Sequence, residues 1–199
     1  MSLRAKLLWV ALLVVFAGGL FYLRSLAKRI FFELPLHSDE SAKVRLSEAA
    51  LQSGTGPNEI AVLYFPSLND RKLVAESRPV KWAPSADDRV RQVLLGLAAG
   101  SHQGFGHPLA ASTDVRAVFL TLEGTAYVDL SNDLLSSISP GIETESLSVY
   151  SMVDSITANI PSVKRVKILI QGQEVETLEG HADLTEAIVP DPTLIKSGP

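Results

Sequence analysis

The chain has 199 residues, 46% of them hydrophobic and 20% charged, which is room for one ordinary domain plus an accessory segment rather than for two domains. It contains no cysteine, and this excludes disulfides, thiolate metal sites, a cysteine nucleophile and a lipidated N-terminal cysteine together. The net charge of −4 is uneven: residues 1–29 carry Arg4, Lys6, Arg24, Lys28 and Arg29 and no acid, while residues 30–199 hold 13 basic and 22 acidic groups. A body that acidic repels phosphate backbones, so nucleic acid is excluded as a partner.

Leu7 to Leu23 is a run of seventeen residues without a charge, at the short end of what crosses a bilayer. Trp9 and Tyr22 stand near its two ends, where amphipathic rings favour the interface. The apolar residues cover every face, which argues against a core helix. A cleaved signal peptide is the alternative, with a small-x-small site at Ser25-Leu26-Ala27, but basic residues follow at once. Residues 1–29 therefore read as a retained single-pass anchor, with the N-terminus inside and the remainder of the chain on the extracytoplasmic side.

Residues 30–57 read as a linker, with Pro35, acidic pairs, a short helix over Ala42–Leu51 and a Ser53-Gly54-Thr55-Gly56-Pro57 break. The domain is expected over 58–185, followed by a tail at 186–199. Ile60 to Phe65 is an apolar, aromatic run that reads as a buried strand stopped by Pro66, and Leu73 to Val80 as a second strand. Ser85, with Asp88 three residues on, opens a helix whose Val90, Val93, Leu94, Leu97 and Ala98 share one face and which stops at Gly100. A glycine-rich loop fills 100–114. Strands at Val115–Leu122 and Thr125–Leu130 are joined at Glu123-Gly124 by a two-residue turn. Ser131 and Asn132 begin a short helical turn through Ser136. A long helix runs from about Thr144 to Ile160, with Val149, Met152, Val153, Ile156 and Ile160 at helical spacing. Val163–Ile170 alternates Val166, Ile168 and Ile170 inward with Arg165 and Lys167 outward, and Gln171-Gly172 turns it into Glu174–Leu178. The fold class is α+β: a mixed or antiparallel sheet with two main helices packed on one face, preceded by a single N-terminal transmembrane helix.

From about Ile60 to Asp183 the order of elements resembles the GerMN domain of sporulation and spore-germination proteins. The residues that carry the resemblance are Tyr64-Phe65 at the end of the first strand, the Arg78-Pro79-Val80 edge, and Val93-Leu94-Leu95-Gly96-Leu97 leading to Gly100. Gly124-Thr-Ala-Tyr-Val-Asp-Leu-Ser131, the most diagnostic segment, and Val163 to Gly172 complete it. Ser101 stands where the family often has proline, and many members are lipoproteins, whereas this chain has no cysteine to acylate. The resemblance implies an extracytoplasmic, non-enzymatic module of envelope or sporulation assemblies, similar to ring-building folds, and supplies no catalytic residues.

The candidate chemistry is thin. His102 and His107 bracket Gly104-Phe105-Gly106, with Asp114 further on; two imidazoles on a loop would bind zinc only with a third ligand, and solvated histidines are the simpler reading. His37 and His181 are isolated. Asp129, Ser131, Asn132 and Asp133 cluster at a strand end, where a carboxylate pair for hydrolysis competes with helix capping and turn hydrogen bonds, and capping is preferred. His102, Phe105 and His107, with Trp82, are the expected partner-contact residues, since aromatics beside flexible glycines suit recognition. The expectation is a non-catalytic, membrane-tethered interaction or scaffolding module of the cell envelope, without cofactor or metal. Its partners would be envelope proteins or peptidoglycan, with homo-oligomerisation open. The alternatives are a peptidoglycan- or glycan-binding domain and an envelope hydrolase using Asp129 or Asp133.

Overall fold

A computed structural model of the chain describes residues 36–67, 69–134, 141–178 and 180–196. The apolar run at 7–23 and the last two residues of the helical turn expected at 131–136 lie outside the described residues. No described helix is long and apolar enough to cross a membrane.

Helix α1 (Leu36–Leu51) leads into a hairpin of β1 (Asn58–Ser67) and β2 (Lys72–Lys81). Helix α2 (Ala86–Ala98), strands β3 (Val115–Leu120) and β4 (Thr125–Leu130), helix α3 (Ile142–Asn159), strand β5 (Arg165–Ile170) and a two-residue β6 (Gln173–Glu174) follow, with a 3-10 turn at Pro192–Leu194. The expected α+β class and strand count hold, but the strands form two sheets instead of one. β1 and β2 form a two-stranded sheet, which a single parallel bridge at Leu73 joins to Ile195, while β3-β4-β5-β6 form a mixed sheet with β4 and β5 parallel. α2 packs on β3 and β1, and α3 lies along β1 and reaches β5. Among the described residues one hydrophobic core joins Leu63, Phe65, Val93, Leu94 and Leu97 to Val128, Leu130, Met152, Ile156 and Ile168.

β1 does not stop at Pro66. Pro66 pairs with Leu73 and Pro79 with Ile60. These pairs have the parity of Val62 and Tyr64, whose backbone groups bond α3 rather than β2, so neither proline removes a hydrogen bond from the ladder. The outward groups of β1 are met by α3 instead. Ser151 Oγ donates to the Tyr64 carbonyl (2.5 Å), Tyr64 N–H donates to Ser155 Oγ (2.9 Å), and Asn159 accepts from Val62 N–H (2.9 Å) and donates to its carbonyl (2.7 Å). Residues four apart on one helix face thus replace a third strand.

Helix α2 starts as its sequence predicts: Ser85 Oγ accepts from the Asp88 amide (3.2 Å) and donates to the Asp88 carboxylate (2.6 Å). It ends at Gly100, whose φ of 84° suits glycine. The β3–β4 connection is longer than expected. Thr121 N–H donates to the Thr125 carbonyl and Gly124 N–H to the Thr121 carbonyl, so three residues form the loop, with Gly124 (φ 86°) closing it. A Cβ there would stand 2.8 Å from the Ser162 carbonyl oxygen.

The ends of the domain also differ from the linker and tail expectations. α1 begins six residues before the expected Ala42, Leu51 is buried in the core, and Gln92 donates to the Ala50 carbonyl at 2.7 Å. Ile188 exchanges both backbone bonds with Val166, and Lys196 N–H donates to the Leu73 carbonyl. Residues 188–196 are therefore a strap reaching from the mixed sheet to the hairpin. Lys167, expected to point outward, is only 4% exposed. Its ammonium bonds the Leu184 carbonyl (2.9 Å) and the Thr185 carbonyl and pairs with Glu174 (3.3 Å), because residues 184–185 fold over that face of β5.

Candidate functional site

Strand β2 positions the glycine-rich loop. Glu76 and Arg78 are two apart, so both side chains point to the same face, and here that face is the interior. Arg78 Nε and Nη2 fork onto Glu76 Oε1 (2.8 and 2.6 Å), Nη2 also reaches the Gly100 carbonyl (2.5 Å), and the guanidinium lies 5.4 Å from the Phe65 ring centre. Ser101 Oγ donates to Glu76 Oε2 (2.6 Å) and the His102 amide to Oε1 (3.2 Å). Burial alone would push the Glu76 carboxyl up, but these hydrogen bonds and the Arg78 charge overcome it and hold the pKa below the ordinary glutamate value. The pair fixes the start of the loop.

The expected contact residues divide. His102 is 61% exposed in its side chain and pairs with Glu48 of α1 at 2.5 Å. His107 is exposed and lies over Gly100, whereas Phe105 is half-buried against the core. Trp82 is a core residue at 6% exposure and presents no aromatic surface, which corrects its assignment as a contact. Among the described residues no three metal-ligating side chains gather, so the two histidines have no third ligand there.

The strand-end cluster does structural work. Asp129 accepts from the Gly172 amide (2.7 Å) and from Arg116 Nε (3.0 Å), tying the β5–β6 turn to β4. Its amide donor thus comes from that turn rather than from the one beside it. Ser131 Oγ accepts from the Asp114 amide (3.0 Å) and donates to Asp133 (3.3 Å). Asn132 is exposed. His181 is not isolated: its ring and amide both meet Glu145, which is fully buried on α3 and also accepts from the Leu178 amide.

Sequence reasoning missed a concavity on the C-terminal side of the domain. A groove of about 520 Å³ opens between α3, the turn after it and the C-terminal strap. Tyr64, Pro161, Val163, Pro190, Pro192 and Ile195 supply its walls, and Asp154, Thr157 and Ala158 its helical side. Asp154 is 2% exposed, and its Oδ2 has no hydrogen-bond partner among the described residues. Burial raises its pKa from 3.8 to about 6; the Asp191 amide, donating to it, opposes the rise and the Asp191 charge adds to it. Burial likewise raises the Tyr64 and Tyr150 hydroxyls, helped by the Asp154 charge and, for Tyr150, more by that of Asp191. Lys164, which also lines the groove, donates to the Pro161 carbonyl (2.7 Å). The available signal was a lone acid between Val153 and Ile156 on a helix whose other acids sit in its first turn.

A hairpin edged by a helix, a mixed sheet and a grooved outer wall define a small α+β module. Residues 62–176 match the family model of Germane, described as sporulation and spore germination, and the chain belongs to that family. The first GerMN domain of the sporulation protein GerM from Bacillus subtilis is similar at 22% identity over 68% of this chain and 98% of that one, with a TM-score of 0.51. The tandem GerMN domains of the same protein are similar at 23% identity over 67% of this chain and 46% of that one, with a TM-score of 0.55. At that identity the likeness speaks for the fold. No curated protein matches the chain.

Proposed function

We propose that the chain is a tethered interaction module of the bacterial cell envelope, in the sporulation and germination class of its family, working by binding rather than turnover. The observation that carries this reading is the groove: apolar walls, three prolines, a tyrosine and a single buried carboxyl. Such a concavity with few polar groups suits recognition. Asp129 holds the Gly172 amide and Arg116, and Asp133 accepts from Ser131, which fits a structural role for both carboxylates. The apolar run at 7–23 would act as an anchor, raising the local concentration of the module near envelope partners.

The test uses the full-length chain in its native membrane, with and without Thr157→Trp, which fills the groove from α3. The chain should fractionate with the membrane. Photocrosslinks from the strap to a neighbouring envelope protein should be lost in the variant at an unchanged thermal midpoint. Retention of the wild type on purified sacculi, lost in the variant, would make a glycan the ligand. Identical crosslinks in both forms, or recovery of the chain in the cytosolic fraction, would refute the proposal.

A further inference from the structure

We propose that the groove receives an alkylammonium group, such as a lysine-type amine of a partner, with Asp154 as its counter-ion. The inference rests on the groove being the binding surface and adds the chemistry of what enters it. A buried carboxylate oxygen without a donor is expensive to keep, and a cation from outside the chain can satisfy it. Asp154 Oδ2 is in that position, and Asp154 is one of the residues that line the groove. No cation of the described chain fills the place: Lys164 bonds the Pro161 carbonyl, and Thr157 Oγ1 is spent on the Val153 carbonyl of its own helix (2.8 Å). The second acid, Asp191, adds negative potential, and its own carboxylate is held by the Thr193 amide and hydroxyl.

The walls select the kind of cation. A divalent metal requires several oxygen ligands, and no group of three candidate ligands gathers among the described residues. A primary amine on a methylene stem needs one carboxylate and apolar sides. Pro161, Pro190, Pro192, Val163 and Ile195 supply those sides, and the Tyr64 ring adds a face toward which a cation is attracted.

The test measures binding of Nα-acetyl-lysine methylamide to the full-length chain in detergent and amine-free buffer, by calorimetry and thermal shift. Its Nε-acetylated analogue and calcium chloride serve as comparators. At about pH 8 the lysine amide should bind at least about tenfold more tightly than the acetylated form, and Asp154→Asn should abolish the difference. A second variant, Ala158→Lys, places an ammonium four residues from Asp154 on the same helix face. It should raise the thermal midpoint and block the lysine amide. Equal binding of the two lysine compounds, a shift produced by calcium alone, or a fall in the midpoint of Ala158→Lys would overturn the assignment. If those results came while Thr157→Trp still lost its crosslinks, the amine assignment would fall and the binding groove would stand.

Discussion

Asp154→Asn isolates the energetic consequence of the buried carboxyl. The amide has nearly the same shape and keeps an oxygen for the Asp191 N–H, but it carries no charge. With a pKa of about 6 in the folded chain against 3.8 unfolded, Asp154 binds a proton more readily in the fold. Stability therefore falls as pH rises through this interval, and the cost is complete above it, on the order of 3 kcal/mol. At about pH 4.5 only about 1 kcal/mol of that cost has accrued. Asparagine removes the cost at every pH, but its NH2 takes the place of the unpartnered oxygen at a penalty of about 1–2 kcal/mol. The variant should thus be more stable than wild type at about pH 8 and level or slightly weaker at about pH 4.5, a swing of about 2 kcal/mol. For a domain of this size that corresponds to roughly 6 °C in the difference between midpoints. Thermal unfolding of the full-length chain in detergent, followed by the fluorescence of buried Trp82, measures it in amine-free buffer. The same difference at both pH values, or a variant that loses more at the higher one, would refute the reasoning, because a charge already paired inside the fold behaves in that way.

Glu76→Ala leaves the Arg78 guanidinium buried without its carboxylate and should cost about 3–5 kcal/mol in thermal or urea unfolding. Loss within about 0.5 kcal/mol would show that the pair is not closed in solution. Lys167→Met should cost about 1–3 kcal/mol, because two carbonyls of the 184–185 loop lose their donor, and limited proteolysis should then cut in that loop first. A neutral effect would return Lys167 to the outward position that its alternation predicts.

Where structure is fixed by neighbours in sequence, the sequence was readable. The Ser85–Asp88 cap, the apolar faces of α2 and α3, and the Gln171-Gly172 turn are decided within a few residues, and the expected elements sit where these place them. The division into two sheets was not readable, because an apolar run such as Ile60–Phe65 does not say which strand lies beyond its edge. Ser151, Ser155 and Asn159 would satisfy a helix just as well with water; only the approach of Val62 and Tyr64 gives them backbone partners. Lys167 was placed on the correct face of β5, but its burial depends on a loop seventeen residues onward. Asp154 was missed for the same reason, since its surroundings are completed by Pro190, Pro192 and Ile195, which read as a tail. The histidines drew notice by residue type, while the Glu76–Arg78 pair was hidden inside a strand of mixed composition.

The hydrogen bonds from α3 to β1 link segments 87 to 97 residues apart. Until the later helix emerges and docks, the early hairpin carries a raw margin of peptide groups able to template stray chains. Nascent or clipped forms ending before Asn159 would therefore be the sticky ones. The intact chain covers that margin only when the helix at 142–159 closes on the strand at 58–67.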